Sequence, residues 1–475
     1  MNPQLHPFPV GGEWRSPSEQ TATISSPYDA SAVGTVALAR DIDIEDAIVS
    51  ALHGFEETRI LSSYQRAECL SALASLIAQD KEPLADLLCR EVGKPIQFAR
   101  VEVDRAVFAC TIAAEEAKRI SGEILSLDLA SHASGRSGMV KRFPLGIILA
   151  ITPFNFPLNL VIHKIAPAMA SGNAFILKPA PQAPLTSLHL ARLIEKSGYP
   201  KRAWSVLPCT NERAEYLVKD ERIQMLSFTG SPNVGWYLKS QAGRKKVVLE
   251  LGGNAGVIVD RTAQIDEAVR KNALGAFFFA GQVCIKVQRI YIQTELFDEY
   301  REKFLEVIKS IKYGDPMESD TVLGPVIDLT QADRIERWIS EAIHEGATLL
   351  AGGKRIGTII EPTIMTDVPR TAKIFQEEIF GPVVTLHRFS TLDEAIAGVN
   401  DSSFGLQAGI FSNDFKNIFY AFNALDVGAV IVNDNPTFRI DHMPYGGVKH
   451  SGFGREGIKY AIQSMTEPKM LVFKG

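Results

Sequence analysis

The chain has 475 residues, of which 46% are hydrophobic and 22% charged, and its formal net charge is −5. This length exceeds one ordinary core and predicts two or three domains. Basic and acidic residues are interspersed and form no basic stripe, which argues against nucleic-acid binding. The most apolar segment, residues 143–167, is interrupted by prolines and polar residues, so it does not predict a membrane-spanning helix.

The cysteines and the first residues indicate the compartment. Cys69, Cys89, Cys110, Cys209 and Cys284 are widely spaced and odd in number, which fits neither a zinc site nor a disulfide framework. We therefore predict no metal site, and a reducing environment. The first residues lack the basic and apolar regions of a secretion signal. We expect a cytoplasmic protein that binds neither nucleic acid nor a membrane.

Helical patterns dominate the first 120 residues. Residues 121–141 then alternate apolar and small polar residues, as a β-hairpin does, and residues 469–473 form another strand pattern near the end of the chain. Two strands with no sheet of their own indicate edge pairing with another subunit. The predicted helices cover residues 43–58, 64–79, 83–91 and 96–120.

Short apolar strand patterns alternate with helical patterns between residues 145 and 259. The strands are predicted at residues 146–151, 174–178, 205–207, 225–228 and 247–251. This alternation indicates a parallel sheet with helices on both faces. Ligands bind such sheets beyond the carboxyl ends of the strands. The residues at those positions are Asn155, Lys178, Gly230, Ser231 and Glu250.

A second α/β block is predicted from residue 255 to residue 444, and it contains Cys284 after the run Phe-Phe-Phe-Ala-Gly-Gln-Val. A cysteine near phenylalanines is most often a small buried hydrophobe. A lone glutamate at a strand end, such as Glu250 before Gly252 and Gly253, often faces solvent. A nucleophilic thiol and a buried base are nevertheless the groups that oxidation of an aldehyde to an acid requires. The predicted elements of this block are helices over 264–279 and 297–311 and strands over 289–292, 383–389 and 430–433.

The Cys284 and Glu250 segments resemble the active-site signatures of the aldehyde dehydrogenase superfamily, and the resemblance extends over nearly the whole chain. It implies an α/β fold with a Rossmann-type dinucleotide-binding domain, an α/β catalytic domain and a small β oligomerisation arm. It also implies oxidation of an aldehyde with NAD or NADP, through a cysteine thioester, in a homodimer or homotetramer. The implied dinucleotide-binding domain covers residues 1–120 and 142–251, and the implied catalytic domain covers residues 252–446. The implied oligomerisation strands are residues 121–141 and 460–475.

The resemblance also implies roles for single residues. Cys284 is the expected nucleophile and Glu250 the expected base that activates water. Asn155 and the backbone N–H of Cys284 are the expected donors to an oxyanion, a type of contact that contributes about 3 kcal/mol in comparable sites. The implied coenzyme contacts are Thr152, Pro153, Phe154, Lys178, Ala180, Pro181, Gly230, Ser231, Val234, Leu251, Glu378 and Phe380.

The coenzyme cannot be chosen from these residues. The glycines Gly230 and Gly235 lie five apart, unlike the usual Rossmann spacing, and the family shares this departure. Between a strand and a helix, their free N–H groups suit a pyrophosphate. Many family members that prefer NAD carry a glutamate three residues after the ribose lysine, where this chain has Pro181. Because no carboxylate would repel a 2′-phosphate there, both NAD and NADP remain open.

Arg439 is the one substrate residue that the sequence suggests. It lies in the loop that resembles the wall of the family's aldehyde tunnel, so it predicts a polar or anionic substrate tail. The alternative is an ion pair with Asp441 or Asp434. The segment from residue 443 to residue 457 is similar to lactaldehyde and non-phosphorylating glyceraldehyde-3-phosphate dehydrogenases, so lactaldehyde, glycolaldehyde, glyceraldehyde 3-phosphate or a semialdehyde are the expected substrates.

Three other functions fit parts of the sequence. A dehydrogenase that transfers its acyl group to coenzyme A would keep the thiol, but that branch typically lacks the base at Glu250. A cysteine hydrolase would pair Cys284 with His163 or His442 and would need no nicotinamide. A catalytically silent dinucleotide-binding protein would have no use for an intact Cys284, Glu250 and Asn155.

Overall fold

The computed structural model describes residues 5–17 and 19–474. The strands in chain order are β1 (Leu5–His6), β2 (Phe8–Val10), β3 (Glu13–Arg15), β4 (Thr21–Ser25), β5 (Ala32–Ala37), β6 (Glu123–Ser126), β7 (Arg136–Pro144), β8 (Ile147–Ile151), β9 (Ala174–Lys178), β10 (Trp204–Val206), β11 (Ile223–Thr229), β12 (Lys246–Glu250), β13 (Ala255–Val259), β14 (Val287–Gln293), β15 (Thr348–Ala351), β16 (Arg355–Ile356), β17 (Ile359–Ile360), β18 (Thr363–Thr366), β19 (Val383–Phe389), β20 (Phe404–Gly405), β21 (Gln407–Phe411), β22 (Ala429–Val432), β23 (Val448–Lys449), β24 (Gly452–Phe453) and β25 (Thr466–Lys474).

The helices in chain order are α1 (Asp41–Thr58), α2 (Ser63–Gln79), α3 (Lys81–Val92), α4 (Ile96–Ala117), α5 (Asn159–Ser171), α6 (Pro184–Lys196), α7 (Asn211–Lys219), α8 (Pro232–Gln241), α9 (Ile265–Phe277), α10 (Phe297–Lys309), α11 (Leu329–His344), α12 (Lys373–Gln376), α13 (Leu392–Asn400), α14 (Phe415–Ala424) and α15 (Ile458–Ser464). Every helix predicted from the apolar periodicity is present. Among the described residues, no helix is both long enough and apolar enough to cross a membrane.

An eight-stranded sheet forms the first half of the molecule, in the order β24-β12-β11-β8-β9-β10-β2-β3. Its five central strands are parallel, as predicted, and their ends lie within two residues of the predicted ones. The strand order reverses between β8 and β11, which is where sheets of this kind bind their ligands. Side chains of β8 and β9 are buried throughout, because helices cover both faces of the sheet.

The N-terminal strands β1 to β5 were not predicted. They are two to six residues long, and β5 pairs with both β1 and β4 in a small separate sheet. β2 and β3 extend the edge of the eight-stranded sheet in antiparallel fashion. Such short strands carry too few alternating residues for periodicity to reveal them.

A seven-stranded sheet forms the second half, in the order β15-β18-β19-β14-β13-β21-β22. All of its pairs are parallel except the edge pair β15–β18. The predicted strands correspond to β14, β19 and β22. The sequence did not reveal β21, whose residues Gln-Ala-Gly-Ile-Phe include few strand formers although all five are buried.

A third sheet has three antiparallel strands in the order β25-β7-β6. The predicted hairpin and C-terminal strand therefore pair with each other, along the whole of β25. The segment 460–475 does not begin as a strand, because α15 continues to Ser464 and packs against α5 and α4. Both outer strands expose apolar side chains, with Ile124 at 83% exposure and Leu471 at 56%.

Candidate active site

A cavity of 1090 Å³ lies beyond the carboxyl ends of β8, β9, β11 and β12, where the two large sheets meet. Every residue that the sequence analysis proposed for the site lines this cavity. These residues are Thr152, Pro153, Phe154, Asn155, Lys178, Ala180, Pro181, Gly230, Ser231, Val234, Glu250, Leu251, Cys284, Glu378, Phe380 and Arg439.

A strained turn carries Cys284 into the cavity. After α9 ends, Phe279, Ala280 and Gly281 have φ values of +49°, +54° and +67°. A side chain at Gly281 would place its Cβ 2.4 Å from the carbonyl oxygen of Gly381, so only glycine fits there. Two non-glycine residues in the left-handed region cost free energy that the surrounding packing must offset, and such strain concentrates at functional sites.

The thiol of Cys284 is partly buried, and among the described residues its side-chain hydrogen-bond partner is a tyrosine. Its Sγ lies 2.9 Å from the hydroxyl of Tyr445. Burial raises the pKa of Cys284 to about 12, and the hydrogen bond with Tyr445 opposes this rise. The sequence analysis missed Tyr445, because an aromatic residue in a Met-Pro-Tyr-Gly-Gly loop carries no signal of its own.

Asn155 is held at both ends. Its side-chain Nδ2 donates to the carbonyl oxygen of Gln282 at 2.9 Å, two residues before Cys284. Its own carbonyl oxygen accepts a hydrogen bond from Lys94 Nζ at 2.7 Å. An amide nitrogen carries two hydrogens, so the bond to Gln282 leaves one for a further acceptor. Asn155 is thereby fixed against the turn that precedes Cys284, and the sequence analysis did not identify Lys94.

A buried ion pair explains the position of Lys94. Its ammonium group binds Glu102 of α4, and it also lies over the rings of Phe156 and Phe279, at 3.7 and 4.5 Å from their centres. Glu102 in turn accepts the backbone N–H groups of Leu158 and Asn159 at the start of α5, at 3.0 and 3.1 Å. One buried pair therefore connects α4, the Asn155 loop and the turn before Cys284.

Glu250 is a buried carboxyl without a partner. Its side chain ends β12 at 2% exposure, and neither oxygen has a hydrogen-bond partner among residues 5–17 and 19–474. Burial raises the pKa of Glu250 well above its usual value, and the nearby Glu456 adds to the rise. A carboxyl in this state accepts a proton near neutral pH more readily than an exposed one does.

Glu456 differs from Glu250 because it has cationic partners. Lys164 Nζ lies 2.8 Å from one of its oxygens, and Arg439 lies 3.4 Å from the other. Although burial opposes the change, these two cations lower the pKa of Glu456 to about 2. The pKa of Glu250 is therefore raised and that of its neighbour Glu456 is lowered, because within the described part of the chain only Glu456 has cationic partners in contact.

The other end of the cavity has the features of a dinucleotide site. The N–H groups of Gly230 and Gly235, which the sequence analysis expected to be free, instead donate to the carbonyl oxygens of Glu250 and Ser231, at 3.1 and 2.9 Å. The helix α8 begins at Pro232, which has no N–H, and the side chain of its N-cap Ser231 makes no capping bond to the N–H groups that follow. A Cβ at Gly230 would lie 2.6 Å from the ring of Phe228, so the backbone runs close to the cavity wall. Lys178 ends β9, and burial lowers the pKa of its ammonium group. Pro181 lines the cavity nearby.

Glu378 and Phe380 reach the cavity from the loop before β19. Glu378 accepts the backbone N–H of Gly253 at 2.9 Å, and burial raises the pKa of its carboxyl to about 7. Phe380 has a φ of +46°, and its ring meets that of Phe154 edge-on at 6.0 Å. Lys286 supports this loop by donating to the carbonyl oxygens of Gly381, at 3.0 Å, and of Val383.

The side chain of Arg439 is 7% exposed and lines the cavity beside Tyr445. Its guanidinium carbon is 3.6 Å from the centre of the Tyr445 ring. One terminal nitrogen lies 3.4 Å from Glu456 and 3.3 Å from Nδ1 of His163. Its Nε is buried and has no hydrogen-bond partner in the part of the chain that the structure describes.

The two ion-pair partners suggested for Arg439 were wrong. Asp441 binds Arg105, at 2.6 Å, and His163, at 2.8 Å. Asp434 faces Lys271 at 3.3 Å. These carboxylates already have partners, and Arg439 points instead toward Glu456. Arg105, which the sequence analysis missed, also lines the cavity.

The structure brings neither proposed histidine to the thiol. His163 binds Asp441 and Arg439 through its two ring nitrogens. His442 lies against the ring of Phe108, at a distance of 6.5 Å between ring centres. The cysteine-hydrolase interpretation therefore has no dyad in this structure.

The fold and the site fit a dehydrogenase of the α/β class: a Rossmann-order sheet whose carboxyl-end cavity also contains a partly buried cysteine. The family model for the aldehyde dehydrogenase family matches residues 14–471, and the chain belongs to that family. It is similar to the 3-sulfolactaldehyde dehydrogenase of Priestia aryabhattai, at 42% identity over 98% of this chain and 97% of the relative.

Solved structures agree with this assignment. Aldehyde dehydrogenase 21 of Physcomitrella patens, in complex with the reaction product succinate, has a TM-score of 0.98 and 42% identity over 100% of this chain and 99% of that one. The glyceraldehyde-3-phosphate dehydrogenase GapN of Methanocaldococcus jannaschii, complexed with NADP, has a TM-score of 0.92 and 36% identity over 96% of this chain and 100% of that one. Relatives named as lactaldehyde dehydrogenases also match nearly the whole chain, such as that of Methanococcus aeolicus at 38% identity, so the resemblance to lactaldehyde and GapN-like enzymes is confirmed.

Proposed function

We propose that this NAD(P)-dependent aldehyde dehydrogenase oxidises a small anionic aldehyde to its acid through a thioester on Cys284. The observation that carries the proposal is the cavity itself. At one end it brings Cys284, Asn155 and Glu250 together, and at the other it presents the backbone and lysine of a dinucleotide site. A thiol, an oxyanion donor and a base are the groups that this chemistry needs.

The reaction is assigned to these residues as follows. The Cys284 thiolate adds to the aldehyde carbon, so a C–S bond forms and the carbonyl oxygen becomes an oxyanion. The free hydrogen of Asn155 Nδ2 and the N–H of Cys284 donate to that oxygen. The nicotinamide, when bound, supplies the hydride acceptor that turns the adduct into a thioester. Glu250 then takes a proton from water, the hydroxide attacks the thioester carbon, and the C–S bond breaks to release the acid and the thiolate.

The residues present fit a dinucleotide. Lys178 and the uncapped start of α8 would hold the adenosine ribose and the pyrophosphate. Glu378 and Phe380 would hold the nicotinamide ribose and ring. A Cβ at Gly252 would lie 2.4 Å from Glu378 Oε2, so a larger residue at this position would clash with the carboxyl group. With Pro181 in place of a carboxylate, we keep both NAD and NADP, and the NADP complex of the GapN relative supports NADP as a candidate.

Two arginines support an anionic substrate. Arg105, which already binds Asp441 through its Nε and one terminal nitrogen, and Arg439, whose buried Nε has no partner among the described residues, both line the cavity. A guanidinium group binds a carboxylate, sulfonate or phosphate through paired hydrogen bonds. The relatives named for 3-sulfolactaldehyde and bound to succinate handle molecules of this class. We therefore place the anionic group of the substrate against these two side chains.

The domain roles and the assembly are also proposals. We assign coenzyme binding to residues 1–120 with 142–251, catalysis to 252–446, and assembly to the three-stranded sheet of β6, β7 and β25. What supports assembly is the exposure of apolar residues on its outer strands, where an unpaired edge invites a partner strand. We propose a cytoplasmic homodimer or homotetramer.

Absorbance of the reduced nicotinamide tests the proposal. The panel contains lactaldehyde, glycolaldehyde, glyceraldehyde 3-phosphate, succinate semialdehyde, 3-sulfolactaldehyde and a plain alkyl aldehyde, each with NAD and with NADP. We expect the anionic aldehydes to lead, and the preference to weaken in Arg439→Gln and Arg105→Gln. An unchanged preference in both variants would contradict the substrate assignment.

Two controls separate the alternatives. Addition of coenzyme A tests the acylating interpretation, because a thioester product would form only in that enzyme. A folded protein that binds a dinucleotide, as a thermal shift shows, but reduces none with any aldehyde would support the silent binding protein instead.

A further inference from the structure

A tyrosine outside the assigned machinery touches the proposed nucleophile. The hydroxyl of Tyr445 lies 2.9 Å from Cys284 Sγ, and the side chain is 3% exposed. Its backbone is fixed by two hydrogen bonds with Glu456, at 3.0 and 2.6 Å. The phenol is therefore held against the sulfur by main-chain pairing, and not by a loose loop.

A cation covers the ring of Tyr445. The guanidinium carbon of Arg439 lies 3.6 Å from the ring centre, and Glu456 and His163 hold the arginine in that place. A buried cation over a phenol ring is attracted to the ring face and favours negative charge on the phenol oxygen. It thereby makes the O–H a stronger donor, and hydrogen bonds to a charged acceptor gain most from such a donor.

The thiol needs this help because its other surroundings oppose ionisation. Burial is the main cause that disfavours the thiolate, and Glu378 and Glu250 act in the same direction when they are ionised. Tyr445 and Arg439 are the groups around the sulfur that favour it. Burial keeps the pKa of Tyr445 well above its usual value, so the phenol keeps its proton at neutral pH and remains a donor.

We propose that Tyr445 is a further catalytic residue: its phenol donates a hydrogen bond to the Cys284 sulfur, and Arg439 on its ring face strengthens that bond to the thiolate. This inference rests on the proposed nucleophilic role of Cys284. It gives Arg439 a second task besides contact with an anionic substrate, because the same guanidinium group faces the cavity and the ring. The hydroxyl and the arginine act as one unit on the sulfur.

The test is the rate at which iodoacetamide alkylates Cys284, measured from about pH 6 to pH 10 without aldehyde or coenzyme and read from the labelled peptide by mass spectrometry. Tyr445→Phe removes the hydroxyl and keeps the ring. We expect its rate profile to move to higher pH, with roughly tenfold slower alkylation at neutral pH. Tyr300→Phe is the matched control, since it removes a buried hydroxyl bonded to Asn272 at 3.0 Å and should leave the profile unchanged.

Two further variants keep the test decisive. Replacement of Tyr445 by 3-fluorotyrosine keeps the side chain nearly the same size but makes the phenol more acidic, so the profile should move to lower pH. Arg439→Gln should move the alkylation profile of the native protein to higher pH. The same substitution should move the profile by less in the Tyr445→Phe background, because the two groups act together.

A wild-type alkylation profile in folded Tyr445→Phe would overturn the inference, even if the KM for the aldehyde changed. The outcome does not depend on the proposed function, because alkylation uses neither substrate nor coenzyme. Turnover by Cys284→Ala would contradict the proposed function directly and would leave the alkylation result of the native thiol as it stands.

Discussion

The two large sheets contribute their reacting and coenzyme-side residues to the cavity from different ends of their strands. In the eight-stranded sheet, Lys178 and Glu250 are the last residues of β9 and β12, and Gly230 directly follows β11. In the seven-stranded sheet, Cys284 comes three residues before β14, and Phe380 three residues before β19. The rule that ligands bind at carboxyl ends therefore describes the first sheet fully. The second sheet follows it only in the loop after β22, which carries Arg439, and it offers Cys284 from a strained turn that enters β14.

The largest effect is expected at the thiol, on the side of the second sheet. Cys284→Ala should lower kcat by at least roughly 10⁴-fold, because no other group can form the thioester. Coenzyme binding should persist, since the residues proposed for the adenosine and pyrophosphate come from the first sheet. Thermal shift with NAD and NADP measures the binding, and Cys69→Ala is the matched control. If Cys284→Ala also abolished the thermal shift caused by the coenzyme, the thiol side and the coenzyme side of the cavity would not be separate.

A substitution of Glu250 tests whether the first sheet supplies the base that hydrolyses the thioester. In Glu250→Gln, water is no longer activated, so kcat should fall about 10³-fold while the thioester still forms. A burst of one reduced nicotinamide per subunit, followed by slow turnover, is the expected trace. Equal loss of burst and turnover would contradict a role limited to hydrolysis.

The pH dependence of the hydrolysis step follows from the raised pKa of Glu250. Below that pKa the carboxyl is protonated and cannot take a proton from water; above it the base is present. The rate of thioester hydrolysis should therefore rise with pH through the raised pKa and level off above it. Single-turnover measurements check this rise, which should vanish in Glu250→Gln.

Asn155 joins the two sheets, because it follows β8 and donates to Gln282 of the turn before Cys284. Asn155→Ala should cost about 10²-fold in kcat, the usual effect of removing one oxyanion donor, with little change in KM. Asn159→Ala removes a buried amide that contacts Asp441 and not the Cys284 turn, and it serves as the control. A KM effect without a kcat effect would make Asn155 a binding residue.

The sequence predicted the first sheet better than the second for a physical reason. Apolar strands are visible in the residues themselves, as in β8, and so are the polar residues that end β9 and β12. Cys284 and Glu378 precede their strands, so only the resemblance to the family indicated them. Tyr445, Lys94 and Arg105 act through contacts across the fold, and no local pattern could reveal such contacts.

The partners of Arg439 show the same limit. Asp441 and Asp434 are close to Arg439 in the chain, yet Glu456 and His163 are its partners in space. Sequence distance suggested the two aspartates, but the actual partners come from α5 and from the segment between β24 and α15, which are far from Arg439 or on another element. The strained residues Phe279 and Ala280 carry no glycine signal and were likewise outside the reach of the sequence.

Pro181 offers a smaller effect within the first sheet. Pro181→Glu places a carboxylate where it can accept the ribose hydroxyls and repel a 2′-phosphate. The ratio of kcat/KM with NAD to that with NADP should rise by about tenfold or more. Pro181→Gln, which adds length without charge, is the control. A ratio that moves equally in both variants would show that shape, and not charge, sets the preference.

Glu378 gives the smallest effect and the sharpest test of the division between the sheets, because it belongs to the second sheet yet is proposed to hold the coenzyme. Burial raises the pKa of its carboxyl to about 7, so the group gains its charge as the pH rises through neutrality. An ionised carboxylate accepts hydrogen bonds from the ribose hydroxyls more strongly than a protonated one. The Kd for the coenzyme, measured by fluorescence, should therefore fall a few-fold between about pH 6 and pH 8.

Two variants control this prediction. Glu378→Gln should bind the coenzyme with the same affinity at both pH values, since its amide does not titrate, and Glu377→Gln should keep the wild-type dependence. If coenzyme affinity stays constant with pH in the native protein, Glu378 does not contact the ribose, and Phe380 is the proposed coenzyme contact that remains on the second sheet.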